Sequence, residues 1–312
     1  MRKANRILAL GLNPAYQKTI LFDHLRLGAV NRSAESYAVA SGKGINFARA
    51  VRTWGHAECV VLQPLGGVIG ELVASGLAAE GIPAVTVPVK SCTRTCSTLL
   101  CGTAGTATEV IEPAAPLSRQ EYDRLFEALE KQLPDYQGLA ICGTCPPGIT
   151  PEFYCDAVRL ARRQGIPVLL DAFRDMREVL SQGLAFLKIN REELFELSGC
   201  QMPMPENMRE FREAHGIAVL AVTDGAGDAL LSSSDGTFRI SVPKLEFCRN
   251  PIGAGDTCGA VLFSGYLERM PLPEAFAQGL AAASASCMTL EPAFFDPAVA
   301  RELYRPITME RI

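Results

Sequence analysis

A short run of small residues that ends in an acid is the first feature of the sequence that could do chemistry. It consists of Gly253, Ala254, Gly255 and Asp256, and an apolar stretch typical of a helix follows at 258–267. Small residues let a ligand approach the backbone, and the N–H groups at the start of a helix stabilise negative charge. A carboxylate there could accept a proton from an attacking hydroxyl. A plain helix start capped by Asp256 fits the same spacing, so both interpretations stay open.

Three polar residues lie at and just beyond the end of a predicted buried strand, 185–189. They are Lys188, Asn190 and Glu193, and ligands of α/β proteins usually bind at the carboxyl ends of such strands. Oxygen ligands suit Mg²⁺, which keeps several waters and needs only one or two protein groups. The alternative is a surface helix whose acidic residues are stabilised by its N-terminus.

Two basic residues could bind an anionic ligand. Lys43 lies between Gly42 and Asn46 at the start of the first predicted long helix, and Arg94 lies in a strand-rich segment. Arg offers phosphate a planar fork and Lys a point charge, so the pair favours a phosphorylated ligand over a neutral one. Exposed basic side chains that are simply solvated are the alternative.

The bulk composition excludes several other classes of protein. The chain has 312 residues, 48 % of them hydrophobic, and a formal net charge of -4, so long-range attraction to nucleic acid or anionic membranes is not expected. No apolar run approaches the roughly 20 residues that span a bilayer, and the apolar segment after the basic N-terminus is too short for a signal peptide. We therefore expect a soluble, cytoplasmic protein without nucleic-acid or membrane partners.

The cysteines predict reduced thiols. Eleven of them are scattered through a large chain, whereas disulfide frameworks belong to short secreted proteins. Cys142 and Cys145 form the single C-x-x-C motif. Because there is no second such pair and only three histidines, a packed strand end is favoured over a zinc or redox site.

The elements that must position these residues alternate between strands and helices. From about residue 118 onward, near-continuous apolar runs at 139–142, 167–171, 185–189 and 218–223 alternate with helical patterns. This order is typical of βαβ units around a parallel sheet, so the fold class is α/β.

The N-terminal third has a different pattern, with short strands and few helices. We predict a small β-sheet lid formed by about 13–40 and 84–112, with the α/β core formed by the remainder. Because no long linker or low-complexity stretch divides the chain, residues 1–312 are expected to form a single domain.

The segment Asn250-Pro-Ile-Gly-Ala-Gly-Asp-Thr257 resembles the C-terminal signature of the ribokinase-like (PfkB) carbohydrate kinases. Six further segments resemble the 1-phosphofructokinase and tagatose-6-phosphate kinase branch in the same order: Asn13-Pro-Ala15, Ser41-Gly-Lys-Gly-Ile-Asn46, Thr93-Arg94, Thr108-Glu109, Gly143 to Gly148, and Leu187 to Glu193. The resemblance implies a Rossmann-like core with a β-sheet lid that often pairs into a homodimer. It also implies transfer of the γ-phosphoryl of ATP to a sugar phosphate of the fructose 1-phosphate, fructose 6-phosphate or tagatose 6-phosphate type.

The resemblance implies roles for individual residues as well. Asp256 would be the base and the amides of Gly253, Ala254 and Gly255 an anion hole. The residues expected at the sugar phosphate are Gln17, Gly42, Lys43, Asn46, Arg94 and Thr144. Those expected at ATP are Lys188, Asn190, Thr223 and Gly225, with Asn190 and Glu193 holding Mg²⁺ through water. For Gly225, a plain hairpin turn is the competing explanation.

Three departures from the family pattern concern the ligands. Gln17 stands where the family normally has an Asp that accepts hydrogen bonds from the sugar, and Cys96 replaces a polar Asn. An amide can donate as well as accept, which puts the identity of the sugar in question. Pro292 and two Phe occupy 288–295, where relatives carry a Gly-rich turn beside the adenine. A kinase of an unphosphorylated sugar or nucleoside, and a non-catalytic sensor, remain the alternatives.

Overall fold

A ten-stranded sheet forms the centre of the molecule, in the computed structural model that describes residues 5–199 and 204–312. The spatial order of its strands is β14-β13-β12-β11-β10-β9-β8-β1-β4-β5. Seven neighbouring strands, from β11 to β5, pair in parallel, and β12, β13 and β14 add antiparallel pairs at one end. The strands are β1 Asn5–Leu10, β4 Ala57–Leu65, β5 Ala84–Pro88, β8 Gly138–Cys142, β9 Val168–Asp171, β10 Phe186–Asn190, β11 Val219–Asp224, β12 Gly227–Ser233, β13 Gly236–Ile240 and β14 Met309–Arg311.

Helices cover both faces of this sheet, because its central strands are apolar on both sides. Alternate residues of β1 point to opposite faces, so Ile7 belongs to one buried apolar cluster and Leu8 to the other. The helices are α1 Lys43–Trp54, α2 Gly67–Glu80, α3 Arg119–Gln132, α4 Glu152–Arg163, α5 Arg177–Leu180, α6 Arg191–Ser198, α7 Met204–Ala214, α8 Ala254–Leu267, α9 Leu272–Ser286 and α10 Pro297–Tyr304.

A separate four-stranded sheet, with the strand order β3-β2-β6-β7, is formed by most of the segments predicted to be a lid, and we refer to it as the lid. Its strands are β2 Ala15–Phe22, β3 Glu35–Ser41, β6 Arg94–Cys101 and β7 Thr106–Ile111. The predicted lid segment 84–112 is wrong at its start, because Ala84–Pro88 pairs with β4 in the large sheet. The sequence of a short strand does not indicate which of two sheets it will join. That depends on the strand it pairs with in the folded protein.

In the described part of the chain, no helix is both long and apolar enough to cross a bilayer.

Candidate active site

Four charged side chains meet where the carboxyl ends of β9 and β10 face the starts of α1 and α8. The Nζ atom of Lys43 lies 2.7 Å from Oδ1 of Asp171 and 3.6 Å from Oδ1 of Asp256. The Nζ atom of Lys188 lies 3.5 Å from the other oxygen of Asp171. Both carboxylates and Lys188 are buried, whereas Lys43 is partly exposed. We call these four residues the charge cluster.

Asp256 is positioned as a reactive group rather than as a helix cap. The N-cap of α8 is Gly253, and Asp256 lies in the first turn. Its Oδ2 accepts a hydrogen bond of 2.8 Å from Nδ2 of Asn46. The carboxylate therefore faces the start of α1, which removes the helix-cap interpretation that the sequence left open.

The environment shifts the pKa values of the two carboxyls in opposite directions. Burial raises the pKa of Asp256, and Asp171 adds to this, while Lys43 and the Asn46 hydrogen bond oppose it. Burial also acts on Asp171, but Lys188 and Lys43 outweigh it and lower the pKa of that carboxyl. A buried carboxylate with a raised pKa is suited to accept a proton, and its neighbour with a lowered pKa is suited to hold two cations in place.

Beside Asp256, a close approach of the backbone requires glycine at Gly253, and the absence of a Cβ at Gly255 lets the Lys188 ammonium lie close to the chain. Gly253 has φ 82°, and a Cβ there would lie 2.8 Å from the backbone nitrogen of Ala293. A Cβ on Gly255 would lie 2.7 Å from Nζ of Lys188. The amides of Gly255 and Asp256 lie in the first helical turn, which offers them no carbonyl four residues earlier within the helix. We call these two amides, of Gly255 and Asp256, the amide cradle; the neighbouring Ala254 amide donates to the carbonyl oxygen of Pro251 at 3.3 Å.

The acceptor side of the site is formed by the start of α1 and by the lid. Gly42 precedes Lys43 with φ 110°, and a Cβ there would lie 3.0 Å from Cα of Pro14. Gln17 is buried in β2 and donates a 2.8 Å hydrogen bond from Nε2 to Oγ1 of Thr98 in β6. This bond orients the amide that replaces the family's Asp.

Arg94 lines a small, open pocket together with Asn13, Ser91 and Thr93. One of its nitrogens, Nη1, donates to the carbonyl oxygen of Glu112 at 3.3 Å. Its Nε is buried and has no hydrogen-bond partner among the described residues. A buried guanidinium N–H without a partner costs free energy, so this cavity is suited to an anion.

The two predicted phosphate ligands, Lys43 and Arg94, line neighbouring pockets that share Asn13 and Pro14. Lys43 also contacts Asp171 and Asp256 in the charge cluster. Thr144 is half-buried in the turn after β8, where the neighbouring Gly143 packs against the stem of Lys43.

The nucleotide side combines a helix cap with a hairpin. Asn190 caps α6, since its Oδ1 accepts from the Glu193 amide at 2.9 Å, while Oε2 of Glu193 accepts from the Asn190 amide at 2.8 Å. The alternative interpretation of these residues, a helix start stabilised by polar and acidic side chains, is therefore observed. Thr223 in β11 is the register partner of Asn190. Gly225 lies with φ 56° between β11 and the antiparallel β12, so it does form a hairpin turn.

The C-x-x-C motif has the properties of packed thiols. Burial raises the pKa of Cys142 well above its ordinary value and that of Cys145 to about 12. Burial therefore disfavours the thiolate form that a redox role would need. The ten cysteines in the described residues are all free, and Cys200 lies outside those residues.

Sequence reasoning missed three polar residues near the site. Asp171 was taken only as the end of a strand, although that position is where α/β sites form. Arg49 is buried in α1, and its spacing of three from Asn46 places both on one face of the helix. Gln63, at the end of β4, has neither side-chain polar atom paired in the described structure and lines a small cavity beside Lys43. Nothing in its sequence context indicates this.

A family model described as the pfkB family carbohydrate kinase matches residues 18–297. The chain belongs to this family of carbohydrate kinases, so the predicted family, the ribokinase-like α/β fold and the enzyme class are confirmed.

Individual relatives show how far the similarity extends. The tagatose-6-phosphate kinase of Staphylococcus epidermidis is 26 % identical over 272 residues, which cover 84 % of this chain and 86 % of the relative. A structure of Escherichia coli phosphofructokinase-2 in complex with substrates and products has a TM-score of 0.87 at 25 % identity, covering 96 % and 98 % of the two chains. A possible 1-phosphofructokinase of Thermotoga maritima has a TM-score of 0.90 at 20 % identity, covering 99 % and 100 %, and supports the fold alone.

Proposed function

We propose that this kinase transfers the γ-phosphoryl group of ATP to a hydroxyl of a sugar phosphate, with Asp256 as the base. The observation that carries the proposal is the charge cluster, where Asp256, a buried carboxylate of raised pKa in the first turn of α8, lies 3.6 Å from Lys43, and Asp171 pairs with both Lys43 and Lys188. The relatives act on sugar phosphates according to their names, and ATP is the cosubstrate expected of the family.

The proposed reaction is a balanced phosphoryl transfer. Asp256 takes the proton of the acceptor hydroxyl as its oxygen bonds to the γ-phosphorus, and the bond from that phosphorus to the bridging oxygen of ADP breaks. The amides of Gly253, Gly255 and Asp256 would stabilise the charge that spreads over the transferred group, and the Ala254 amide would join them if it left the carbonyl oxygen of Pro251. Lys43 and Lys188 offset the same charge from the other side.

Mg²⁺ fits the oxygen atoms offered by Asn190 and Glu193, where the nucleotide is expected to bind. The capping box uses Oε2 of Glu193 and Oδ1 of Asn190, which leaves the second carboxylate oxygen of Glu193 for a water in the ion's shell. When bound, the ion would neutralise phosphate charge. Asn190 and Glu193 would hold it through water, and Thr223 and Gly225 would contact the nucleotide.

For the acceptor, we propose that Arg94 binds the phosphate already present on the sugar. Its unpaired Nε and the polar lining of its cavity support this role. Lys43, engaged by two carboxylates, would lie nearer the transferred phosphoryl group. Gln17, Gly42, Asn46 and Thr144 would contact the sugar itself.

We also propose a domain organisation, a dimeric state and a cellular compartment for this kinase. We infer one kinase domain whose lid closes over the sugar and pairs with the lid of a second copy, since Val110 and Ile111 on its edge strand are about half exposed and unpaired edges favour strand or sheet association. The free thiols support a reducing cytoplasm.

A screen for ADP release with Mg²⁺ and ATP tests the proposed reaction. The acceptors are fructose 1-phosphate, fructose 6-phosphate, tagatose 6-phosphate, the free hexoses and nucleosides. We expect turnover with at least one sugar phosphate and kcat/KM values for neutral acceptors lower by about 100-fold or more, because an unpaired Arg in the site disfavours them. Preference for a neutral sugar, or ligand binding by calorimetry without any turnover, would replace the proposal with one of its alternatives.

A further inference from the structure

Arg49 is a buried arginine that the reaction described above does not use. It is only 2 % exposed, in the middle of α1. A buried arginine must have its N–H groups paired, because an unpaired buried charge is very costly. Its partners identify what it holds in place.

The first partner is the residue that contacts the base. Nη1 of Arg49 donates to Oδ1 of Asn46 at 3.1 Å, and Oγ of Ser41 donates to the same oxygen at 3.1 Å. With its oxygen taken by two donors, the Asn46 amide presents its nitrogen to Oδ2 of Asp256 at 2.8 Å. An amide rotated by a half-turn would place oxygen against carboxylate, which is repulsive.

The remaining partners come from three other parts of the fold. Glu80, at the end of α2, accepts from Nε at 2.6 Å and from Nη2 at 2.8 Å. The carbonyl oxygens of Ala40 in β3 and of Pro292 accept at 2.6 and 3.2 Å. The guanidinium also lies 4.5 Å from the ring centroid of Phe294. One planar group thus joins the base of the lid, α2 and the segment 288–295.

We propose that Arg49 is a positioning residue for phosphoryl transfer, which fixes the Asn46 amide so that Asp256 stays ionised and aimed at the acceptor hydroxyl. Its fork is needed because Lys, with a single ammonium, cannot reach Asn46, Ala40, Pro292 and both oxygens of Glu80 together. The inference rests on the proposed role of Asp256 and adds how the base is held.

A purely structural role for Arg49 predicts different behaviour. In that case its loss would lower the unfolding temperature but leave the ionisation of Asp256 unchanged. The Asn46 hydrogen bond lowers the pKa of Asp256, so losing the bond raises that pKa. Since the base must be ionised, the acid limb of the kcat/KM profile would then move to higher pH.

The test compares Arg49→Lys with Arg52→Lys, an exposed position on the same helix, using the best acceptor and Mg²⁺ with ATP. We expect Arg49→Lys to lower kcat by about 10- to 100-fold and to move the acid limb upward, while Arg52→Lys changes neither. The other charged groups that act on Asp256 or face it, namely Lys43, Asp171, Lys188 and Glu109, are the same in both variants.

A second comparison keeps the inference falsifiable if Arg49→Lys is less stable. In an Asn46→Ala background, adding Arg49→Lys should lower kcat by less than about threefold beyond the effect of Asn46→Ala alone. The effects of two residues that act through one contact are not additive. Additive losses, or an unmoved acid limb in a folded Arg49→Lys protein, would overturn the inference while leaving the role of Asp256 intact. Full activity of Asp256→Asn would instead remove the proposed function on which it rests.

Discussion

The charge cluster and the site-side face of the lid differ in how completely their polar groups are paired. In the cluster, Lys43, Asp171, Lys188 and Asp256 all contact an opposite charge, and Asn46 adds a hydrogen bond. In the lid, Arg94 leaves a buried N–H without a partner among the described residues. There Gln17 makes its hydrogen bond to a neighbouring strand.

This contrast suggests that the charge cluster controls phosphoryl transfer and that the lid controls which acceptor binds. A fully paired cluster is preorganised, so its charges need no rearrangement when phosphoryl transfer occurs. Groups left unpaired in the lid gain most from a ligand that pairs them and penalise one that does not. Glu109, in β7 of the lid, is electrostatically coupled to the cluster. Burial raises the pKa of Glu109, and the charge of Asp256 adds to this. We therefore expect substitutions in the two regions to affect different kinetic constants.

The largest effect is expected from Asp171→Asn in the cluster. Removing this carboxylate leaves Lys43 without its closest partner and Lys188 without its ion pair, which costs about 3–5 kcal/mol of unfolding free energy for a buried pair. Denaturant unfolding measures the loss. Asp175→Asn is the matched control, because Asp175 is exposed and has φ 59°, which Asn tolerates. Equal stability of both variants would show that the cluster is not an interdependent unit.

Arg94→Met should weaken binding of the acceptor without slowing the phosphoryl-transfer step. Loss of a charged hydrogen bond to the sugar's phosphate should raise KM for the sugar phosphate by about 10- to 100-fold, with KM for ATP unchanged. Initial rates at varied concentrations of each substrate measure this, with Arg119→Met, an exposed arginine, as the control. An unchanged KM for the sugar phosphate would place the phosphate elsewhere.

Gln17→Asp should change acceptor preference by a smaller amount. The carboxylate cannot donate as the amide does, so kcat/KM for the best wild-type acceptor should fall about tenfold, within the range for one altered polar contact. Gln17→Glu adds the charge with nearly the original shape and separates charge from geometry. Relative kcat/KM values for two acceptors competing in one reaction measure the shift, and identical ratios in all three proteins would contradict it.

The smallest effect is expected at Ala293, beside the amide cradle. This residue has φ 60°, in the left-handed region that favours glycine. Relief of the left-handed strain, partly offset by the greater flexibility of Gly, should make Ala293→Gly more stable by about 0.5 kcal/mol. Thermal unfolding measures the change, and Arg269→Gly, at an exposed position with φ 64°, is the comparison for the buried Ala293. A destabilised Ala293→Gly would mean that its methyl group contributes more by packing than the strain costs.

The large sheet and the existence of the lid could be predicted from apolar runs and their alternation with helices. Ala84–Pro88 was placed in the wrong sheet because both sheets accept the same short pattern. The resemblance found Asp256 and Lys43, but it gave no pairing between them. Asp171 and Arg49 each have one partner nearby in sequence, Lys188 and Asn46. They were missed because their other partners Lys43, Glu80 and Pro292 lie 128, 31 and 243 residues away, which local sequence patterns do not encode.

The central claim is that Asp256 performs the chemistry and the lid selects the acceptor. The most direct test is kcat of Asp256→Asn with the best sugar phosphate, alongside KM for both substrates. Loss of a general base predicts a kcat lower by about 10²- to 10⁴-fold with both KM values nearly unchanged, since the amide keeps the shape and can still contact Asn46. A kcat close to that of the unsubstituted enzyme would contradict the account.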